Sequence, residues 1–215
     1  MDLLTSLGIH REGLPLSLKL PSDSIRQVND LLASLNVTPP FVVVHPGALR
    51  PEKYWLNERW LAVIRHIRQV YSLPVLLTGS PSISEQLWLK NLLMNQEGLW
   101  HNLIGKLDLA QLAVLISKAQ LLCGVDSAPI HFADAVSTPC VALFGPTNPY
   151  QWRPRNPSSC ILGPHTVPYH PKDMGGPMES ISSETVISAI DRLLSDSLIS
   201  YHPTSEDSTC EPGPK

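Results

Sequence analysis

Short apolar runs alternate with longer amphipathic stretches along the chain from residue 41 onward. The runs are continuous rather than alternating, which is typical of parallel strands covered by helices on both faces. They predict strands at 41–45, 74–78, 101–104, 120–125 and 139–144. The stretches between them repeat apolar residues every three or four positions, which predicts helices at 57–71, 84–95, 109–118 and about 127–136. This order indicates an α/β fold, a three-layer domain with a mostly parallel sheet.

The two ends of the chain differ from this central part. Residues 1–40 contain one predicted helix, at about 22–35, and are interpreted as a linker or lead-in. The domain itself is predicted over 41–196. Residues 197–215 are rich in Ser, Pro and acidic groups and hold little that could offset the entropy cost of ordering, which predicts a disordered tail.

Proline usage is high, with 21 residues in the chain, about twice the average. Eight of them lie between positions 146 and 177, which predicts that this part of the chain is mostly loop. After it, apolar positions repeat with helical spacing over 184–195, and Ser183 is the predicted N-cap of that helix. The domain therefore ends on a helix that packs back onto the sheet.

The amino-acid composition limits the kinds of partner and site that are expected for this chain. Of the 215 residues 43% are hydrophobic, which is enough for one buried core. Sixteen Lys and Arg stand against nineteen Asp and Glu, so a nucleic acid or an anionic membrane is not expected as the main partner. The four cysteines show no CxxC motif, which favours free thiols in the cytoplasm over disulfides or a metal site. No apolar run is long enough to span a bilayer, and the start lacks a secretory signal.

Ligands of open parallel sheets bind beyond the carboxyl ends of the strands, so the residues there are the candidates. The first strand is followed by the sequence HPGA at 45–48, then by Arg50 and Lys53. This segment is either a phosphate-binding loop or a glycine turn with solvated charges. The second strand is followed by Thr78-Gly79-Ser80 and then by Glu85, which is either a ligand group or a partner of the helix dipole.

The fourth predicted strand runs directly into Asp126 and Ser127, with Pro129 at an early helical position and His131 one turn further on. Free backbone amides at such a helix start, together with the helix dipole, favour an anion. The alternative is that Asp126 or Ser127 caps the helix and that His131 is a satisfied core histidine. The loop after the last predicted strand, up to Trp152, either borders a pocket or is a stiff loop around a core tryptophan.

Taken in order, these segments resemble the C-terminal half of the family 9 glycosyltransferases, the heptosyltransferase-like enzymes of lipopolysaccharide assembly. The resemblance covers about residues 3–194 and rests on these motifs: HPGA (45–48), KYWLNERW (53–60), LTGS (77–80), VDSAPIH (125–131), ALFGPTNPYQW (142–152) and MESISSETV (178–186). It implies a Rossmann-like domain that forms one half of a GT-B fold, the half that binds a nucleotide-diphosphate sugar.

The resemblance also implies roles for single residues. Lys53 is expected near the donor phosphates. Asp126, Ser127 and the amide of Ala128 are expected to hold the pyrophosphate or the sugar, with His131 beside them. Glu85 is expected near the nucleotide ribose. A helix N-terminus and a lysine can stabilise the departing diphosphate, so neither a metal nor another cofactor is expected.

The chain departs from the family pattern at two positions, with Ala128 where glycine is usual and Leu56 where proline is usual. The N-terminal acceptor domain, which would carry the general base, is not found in the sequence. The chain is therefore expected to bind donor and to transfer sugar poorly by itself. Efficient transfer would direct the search for a base to Glu52, Glu58 and Asp173, or to a dimer.

The expected function is glycosyl transfer to a cell-surface glycan or lipopolysaccharide acceptor, in the cytoplasm or at the inner face of the membrane. The expected partner is a nucleotide-diphosphate sugar. The chain is either a truncated enzyme or half of a split enzyme, in which case a separate chain supplies the acceptor domain. The alternative is a non-enzymatic module that binds nucleotide sugars or a protein partner.

Overall fold

The computed structural model describes residues 16–94, 98–164 and 169–199. Its helices and strands follow in this order: α1 Ser22–Ser34, β1 Val42–His45, α2 Asn57–Val70, β2 Val75–Leu77, α3 Ile83–Leu93, β3 His101–Asn102, α4 Leu109–Lys118, β4 Leu121–Val125, α5 Ala128–Ala135, β5 Cys140–Leu143, α6 Pro149–Trp152, β6 Ser159–Leu162 and α7 Ser183–Ile199. Short 3-10 turns occupy Pro51–Lys53 and Met178–Ser180.

The strands form one parallel sheet in the order β3-β2-β1-β4-β5-β6. This confirms the predicted α/β fold with its parallel sheet. The order reverses at β1, which lies between β2 and β4, so Val43 is opposite Leu76 on one side and Leu122 on the other. A reversal of this kind opens a crevice beyond the carboxyl ends of the central strands.

Two apolar cores, one on each face of the sheet, explain why the strands are continuously apolar. Val42 and Val44 of β1 belong to the core that also holds Trp60 of α2 and Ile190 of α7. Val43, between them, points into the opposite core with residues of α1, α4 and α5. Successive side chains of a strand face opposite sides, so a strand buried on both sides has no polar positions. The domain therefore has three layers, as predicted.

The described residues of the proline-rich part after β5 are mostly loop, as predicted, but they include two elements that the sequence did not predict: the short helix α6 and the edge strand β6. Pro154 and Pro157 precede β6 rather than interrupt it, so its pairing with β5 is intact. The predicted cap is also displaced by one residue, since the hydroxyl of Ser182, not Ser183, accepts the Thr185 amide at 3.2 Å.

Both ends also differ in detail from the prediction. The helix of the lead-in is present as α1, and its Val28 is fully buried in the core beside α4. Helix α7 continues to Ile199, three residues into the stretch assigned to the tail. Residues 1–15 and 200–215, with the rest of the predicted lead-in and tail, lie outside the described residues. Within the described ranges, no helix has both the length and the apolar character needed to cross a bilayer.

Trp55 anchors the segment that precedes α7, residues 178–182, at the start of α2. Its ring is fully buried and packs edge-on against Trp60, with ring centroids 4.9 Å apart. The indole Nε1 donates to the carbonyl of Ile181 at 2.9 Å. Arg59 donates to the same carbonyl and to that of Glu179. The segment before α7 is therefore fixed through its backbone carbonyls as well as through its buried side chains, Met178 and Ile181.

We expect Trp55→Phe to lower the free energy of unfolding by about 2 kcal/mol, the sum of one lost hydrogen bond and the packing of the missing ring atoms. Urea denaturation measures the change. Trp152→Phe is the control, because Trp152 is 54% exposed and should cost less than about 0.5 kcal/mol. Equal losses in the two variants would contradict the anchoring role of Trp55.

Candidate functional site

A cavity of about 490 Å³ opens at the carboxyl ends of β1, β2 and β4, within the size range of small-molecule sites. The loops after these strands and the starts of α3, α4 and α5 form its walls. Of the residues predicted from the sequence, five line it: Lys53, Glu85, Asp126, Ser127 and Ala128. Arg50, which belongs to the segment considered as a phosphate-binding loop, also lines it. Other lining residues were given no role from the sequence: His45 and the leucines at 49, 107, 109 and 112.

Lys53 and Asp126 form an ion pair at one end of the cavity. The Lys53 Nζ atom lies 2.6 Å from Asp126 Oδ2 and donates to the Asp126 carbonyl at 3.1 Å. The two side chains are only 16% and 7% exposed, so water screens their attraction weakly. The 3-10 turn after β1 brings Lys53 into this position, and the end of β4 brings Asp126. The pair thus joins two loops that lie 73 residues apart in the chain.

Helix α5 begins at the same end of the cavity and has no side-chain cap. The Ser127 hydroxyl donates backward to the Val125 carbonyl at 3.1 Å instead of accepting an amide of the first turn. Asp126 is held by Lys53, so the interpretation of either residue as a helix cap is wrong. The amides of the first turn and the positive end of the helix dipole therefore face the cavity. Ala128 is exposed and lines the cavity.

Glu85 lies between the two glycine turns at the floor of the cavity. It is 3% exposed, and its Oε1 accepts the Ser80 amide at 2.6 Å. A Cβ atom at Gly79 would come 2.6 Å from Oε1, and one at Gly47 would overlap the carboxyl group, so both turns need glycine for a close approach. Burial raises the pKa of Glu85, although the Ser80 amide opposes this shift. Glu85 is therefore more than a surface partner of the α3 dipole.

His45 is a buried, uncharged group beside this floor. Its Nδ1 atom lies 2.9 Å from the Thr78 hydroxyl, and the residue is 7% exposed. Burial lowers its pKa from 6.5 to about 4, so the ring is neutral at pH 7. The sequence places His45 at the start of a candidate loop but does not indicate a role for it. The sequence feature that could have identified His45 as a site residue is its position as the last residue of a central strand.

The opposite wall of the cavity is apolar and comes mainly from the start of α4. Leu109 is 67% exposed at the first helical position, whereas Leu112 is nearly buried. A capping box fixes this start, because the Asp108 carboxylate accepts the Gln111 amide at 2.7 Å and the Gln111 side chain accepts the Asp108 amide at 2.9 Å. The cavity thus has one charged end and one apolar end.

Two other predicted features lie apart from the cavity. His131 is half-buried on α5 and is not among the lining residues. Trp152 is exposed, so the interpretation of a loop around a core tryptophan is wrong. The cysteines at 123, 140 and 160 are free thiols, and burial raises the pKa of Cys140 to about 12. Within the described ranges, no three His, Cys, Asp or Glu side chains are grouped to hold a metal ion.

Comparisons with known proteins agree with the motifs. Residues 7–181 match the sequence model of glycosyltransferase family 9 (heptosyltransferase). Lipopolysaccharide heptosyltransferase 3 of Escherichia coli is 33% identical over 155 residues, which is 72% of this chain and 45% of that protein. The chain thus spans about half the length of the curated relatives it matches.

Two solved structures show the same fold. The glycosyl transferase family 9 protein from Veillonella parvula superposes with a TM-score of 0.76 and 23% identity, over 91% of this chain and 58% of that one. The Escherichia coli heptosyltransferase WaaC, solved with ADP, gives a TM-score of 0.63 and 17% identity over 88% of this chain and 53% of that one. Only part of each larger structure is matched.

We expect acid to destabilise the domain through His45. The unfolded state binds a proton at this ring below about pH 6.5, whereas the folded state resists protonation down to about pH 4. The free energy of unfolding should therefore fall by about 3 kcal/mol between these pH values, at 1.4 kcal/mol per pH unit. His45→Asn, whose amide can still bond to Thr78, should remove this part of the pH dependence. Denaturation curves at several pH values measure it.

Thr78→Val is the matched control for His45→Asn. It removes the hydroxyl that contacts the ring but leaves the imidazole buried. The variant should therefore lose stability at every pH and keep the parent's dependence on acid. If the free energy of unfolding fell equally with pH in the parent and in His45→Asn, the acid sensitivity would not come from His45.

Proposed function

The chain belongs to glycosyltransferase family 9, the heptosyltransferase family, and from that premise we propose that its cavity binds the nucleoside diphosphate sugar donor of a glycosyl transfer in lipopolysaccharide assembly. The observation that carries the proposal is the meeting of the Lys53–Asp126 pair with the uncapped start of α5 in one cavity. The proposal concerns a domain that spans about half of its curated relatives.

The charged end of the cavity suits a diphosphate. Lys53 supplies an ammonium group, and α5 supplies free amides and the positive end of its dipole. Asp126 holds the ammonium group in place through its carboxylate and carbonyl oxygens, so little side-chain entropy remains to be lost when an anion binds. The same groups would stabilise the negative charge that develops on the departing diphosphate without requiring a metal.

The apolar end suits a nucleobase. Leu109 presents an exposed aliphatic surface beside Leu112, and a flat aromatic base would cover it. Glu85 lies on the floor between the two ends, where its carboxyl oxygens would accept hydrogen bonds from ribose hydroxyls. The structural neighbour solved with ADP supports this class of ligand.

Transfer requires more than this cavity. The acceptor hydroxyl must be held in line with the anomeric carbon, and a base must take its proton. We assign neither task to a described residue, and we propose that a second domain supplies both, as the greater length of the relatives supports. The nucleotide sugar and a lipopolysaccharide precursor would be the two substrates.

Lys53→Met should weaken the binding of ADP to the domain at least tenfold. The variant keeps the length of the side chain but removes a charged hydrogen bond, worth about 1.5–3 kcal/mol, and leaves the Asp126 carboxylate unneutralised near the phosphates. Calorimetric titration measures the dissociation constant. Lys90→Ala on the exposed surface of α3 is the control and should bind like the parent. Unchanged affinity of Lys53→Met would refute the phosphate assignment.

Leu109→Ser should weaken ADP binding about fivefold, because the base loses about 1 kcal/mol of apolar contact. The affinity for inorganic pyrophosphate should stay the same, since pyrophosphate does not reach this wall. Leu87→Ser, equally exposed on α3, is the matched control. A parallel loss of ADP and pyrophosphate affinity would show that Leu109 does not contact the base.

A further inference from the structure

A second cavity, of about 600 Å³, lies beside the edge strand β6 and shares no lining residue with the first. We refer to it as the β6 cavity. Its walls come from the segment before β6, from β6 itself, from Tyr169 and from Arg192 of α7. Strand β5 separates β6 from β4, so the β6 cavity is removed from the Lys53–Asp126 pair.

Arg153 and Arg192 give the β6 cavity a positive charge. No Asp or Glu is among the described residues that line it. No carboxylate among the described side chains lies within 4 Å of the Arg153 guanidinium group, whereas Arg26 and Arg50 each have one. Arg153 reaches only the Tyr150 carbonyl at 3.4 Å and the face of its ring. This positive charge stands out in a chain whose net charge is −3.

The walls of the β6 cavity are held by groups other than the two arginines. Buried Asp134 accepts the backbone amides of Arg155 at 3.1 Å and Asn156 at 2.7 Å. This buried carboxylate is therefore engaged by the loop backbone. The Ser159 hydroxyl accepts the Cys140 thiol at 3.3 Å, which leaves its own proton for an acceptor in the cavity. The cavity thus offers donors on a framework that is already in place.

We propose that the β6 cavity binds a phosphate group, either in a soluble compound or on a lipid. Guanidinium groups form paired hydrogen bonds with the oxygens of phosphates, and Arg153 has no anionic partner among the described side chains. Arg192 lines the same cavity and adds a second guanidinium group. Ser159 adds a neutral donor. The volume exceeds that of one phosphate ion, so it can hold the phosphate together with part of the molecule that carries it. This site does not depend on the donor assignment of the first cavity.

Cys160 provides a direct reporter, because it lines the β6 cavity and is partly exposed, while Cys123 and Cys140 are buried. In a Cys210→Ser background, the rate at which a thiol reagent modifies the protein is measured with and without inorganic pyrophosphate, at equal ionic strength set with chloride. We expect bound pyrophosphate to slow modification at least threefold. Each variant is compared with its own unliganded rate, since Arg192 also affects the Cys160 thiol.

Arg153→Gln with Arg192→Gln should abolish the protection, and each single variant should weaken it. Arg65→Gln, on the exposed surface of α2, is the matched control and should retain it. Lys53→Met should also retain it, which separates this site from the donor cavity. Protection that persists in the double arginine variant, or that disappears in Lys53→Met, would overturn the proposal.

A second arm identifies the source of the phosphate. Vesicles of phosphatidylcholine with phosphatidic acid replace pyrophosphate, and vesicles of phosphatidylcholine alone are the control. Arginine-dependent protection by pyrophosphate supports a soluble ligand, and protection by the acidic vesicles alone supports a lipid-borne one. If neither probe protects Cys160, the β6 cavity does not bind phosphate and the proposal is wrong.

Discussion

The parallel pairing of β1 with β4 sets the geometry of the whole site. The two strands run in register from Val42 beside Leu121 to His45 beside Gly124. A Cβ atom at Gly124 would come 2.9 Å from the His45 carbonyl, so the close approach needs glycine. Because the strands end together, the loop that carries Lys53 and the turn that carries Asp126 leave the sheet side by side. Their ion pair is a consequence of this pairing.

Burial shifts the pKa values of two ionisable groups around the cavity, His45 and Glu85. It lowers the pKa of His45 and raises that of Glu85, so both shifts favour the neutral form. Lys53 and Asp126 are also sheltered, but each has the other as a partner. Their ion pair lies at the end where α5 begins. The leucine wall lies away from it, and a ligand with one ionic and one aromatic end fits this division.

Much of this architecture could be predicted from the sequence because the signals are strong. The central strands are uninterrupted apolar runs, and the residues after them include Lys53 and Asp126. Strand β6 was missed because Ser159–Leu162 is only partly buried and follows two prolines. The wall at Leu109 could not be found from the pattern, since an exposed leucine on a helix is common. Nor does the sequence show that His131 is not among the residues lining the cavity, because this depends on how α5 packs.

The covering of β6 by Tyr169 also bears on self-association. A sheet edge with unpaired backbone groups is a template for pairing with another chain. At β6 the Tyr169 hydroxyl donates to the outward-facing Ile161 carbonyl at 3.1 Å, so one of these groups is occupied. At the other edge, β3 contains only His101 and Asn102, too short to guide an incoming strand. Each edge thus offers fewer free backbone groups to an incoming strand, by a different means.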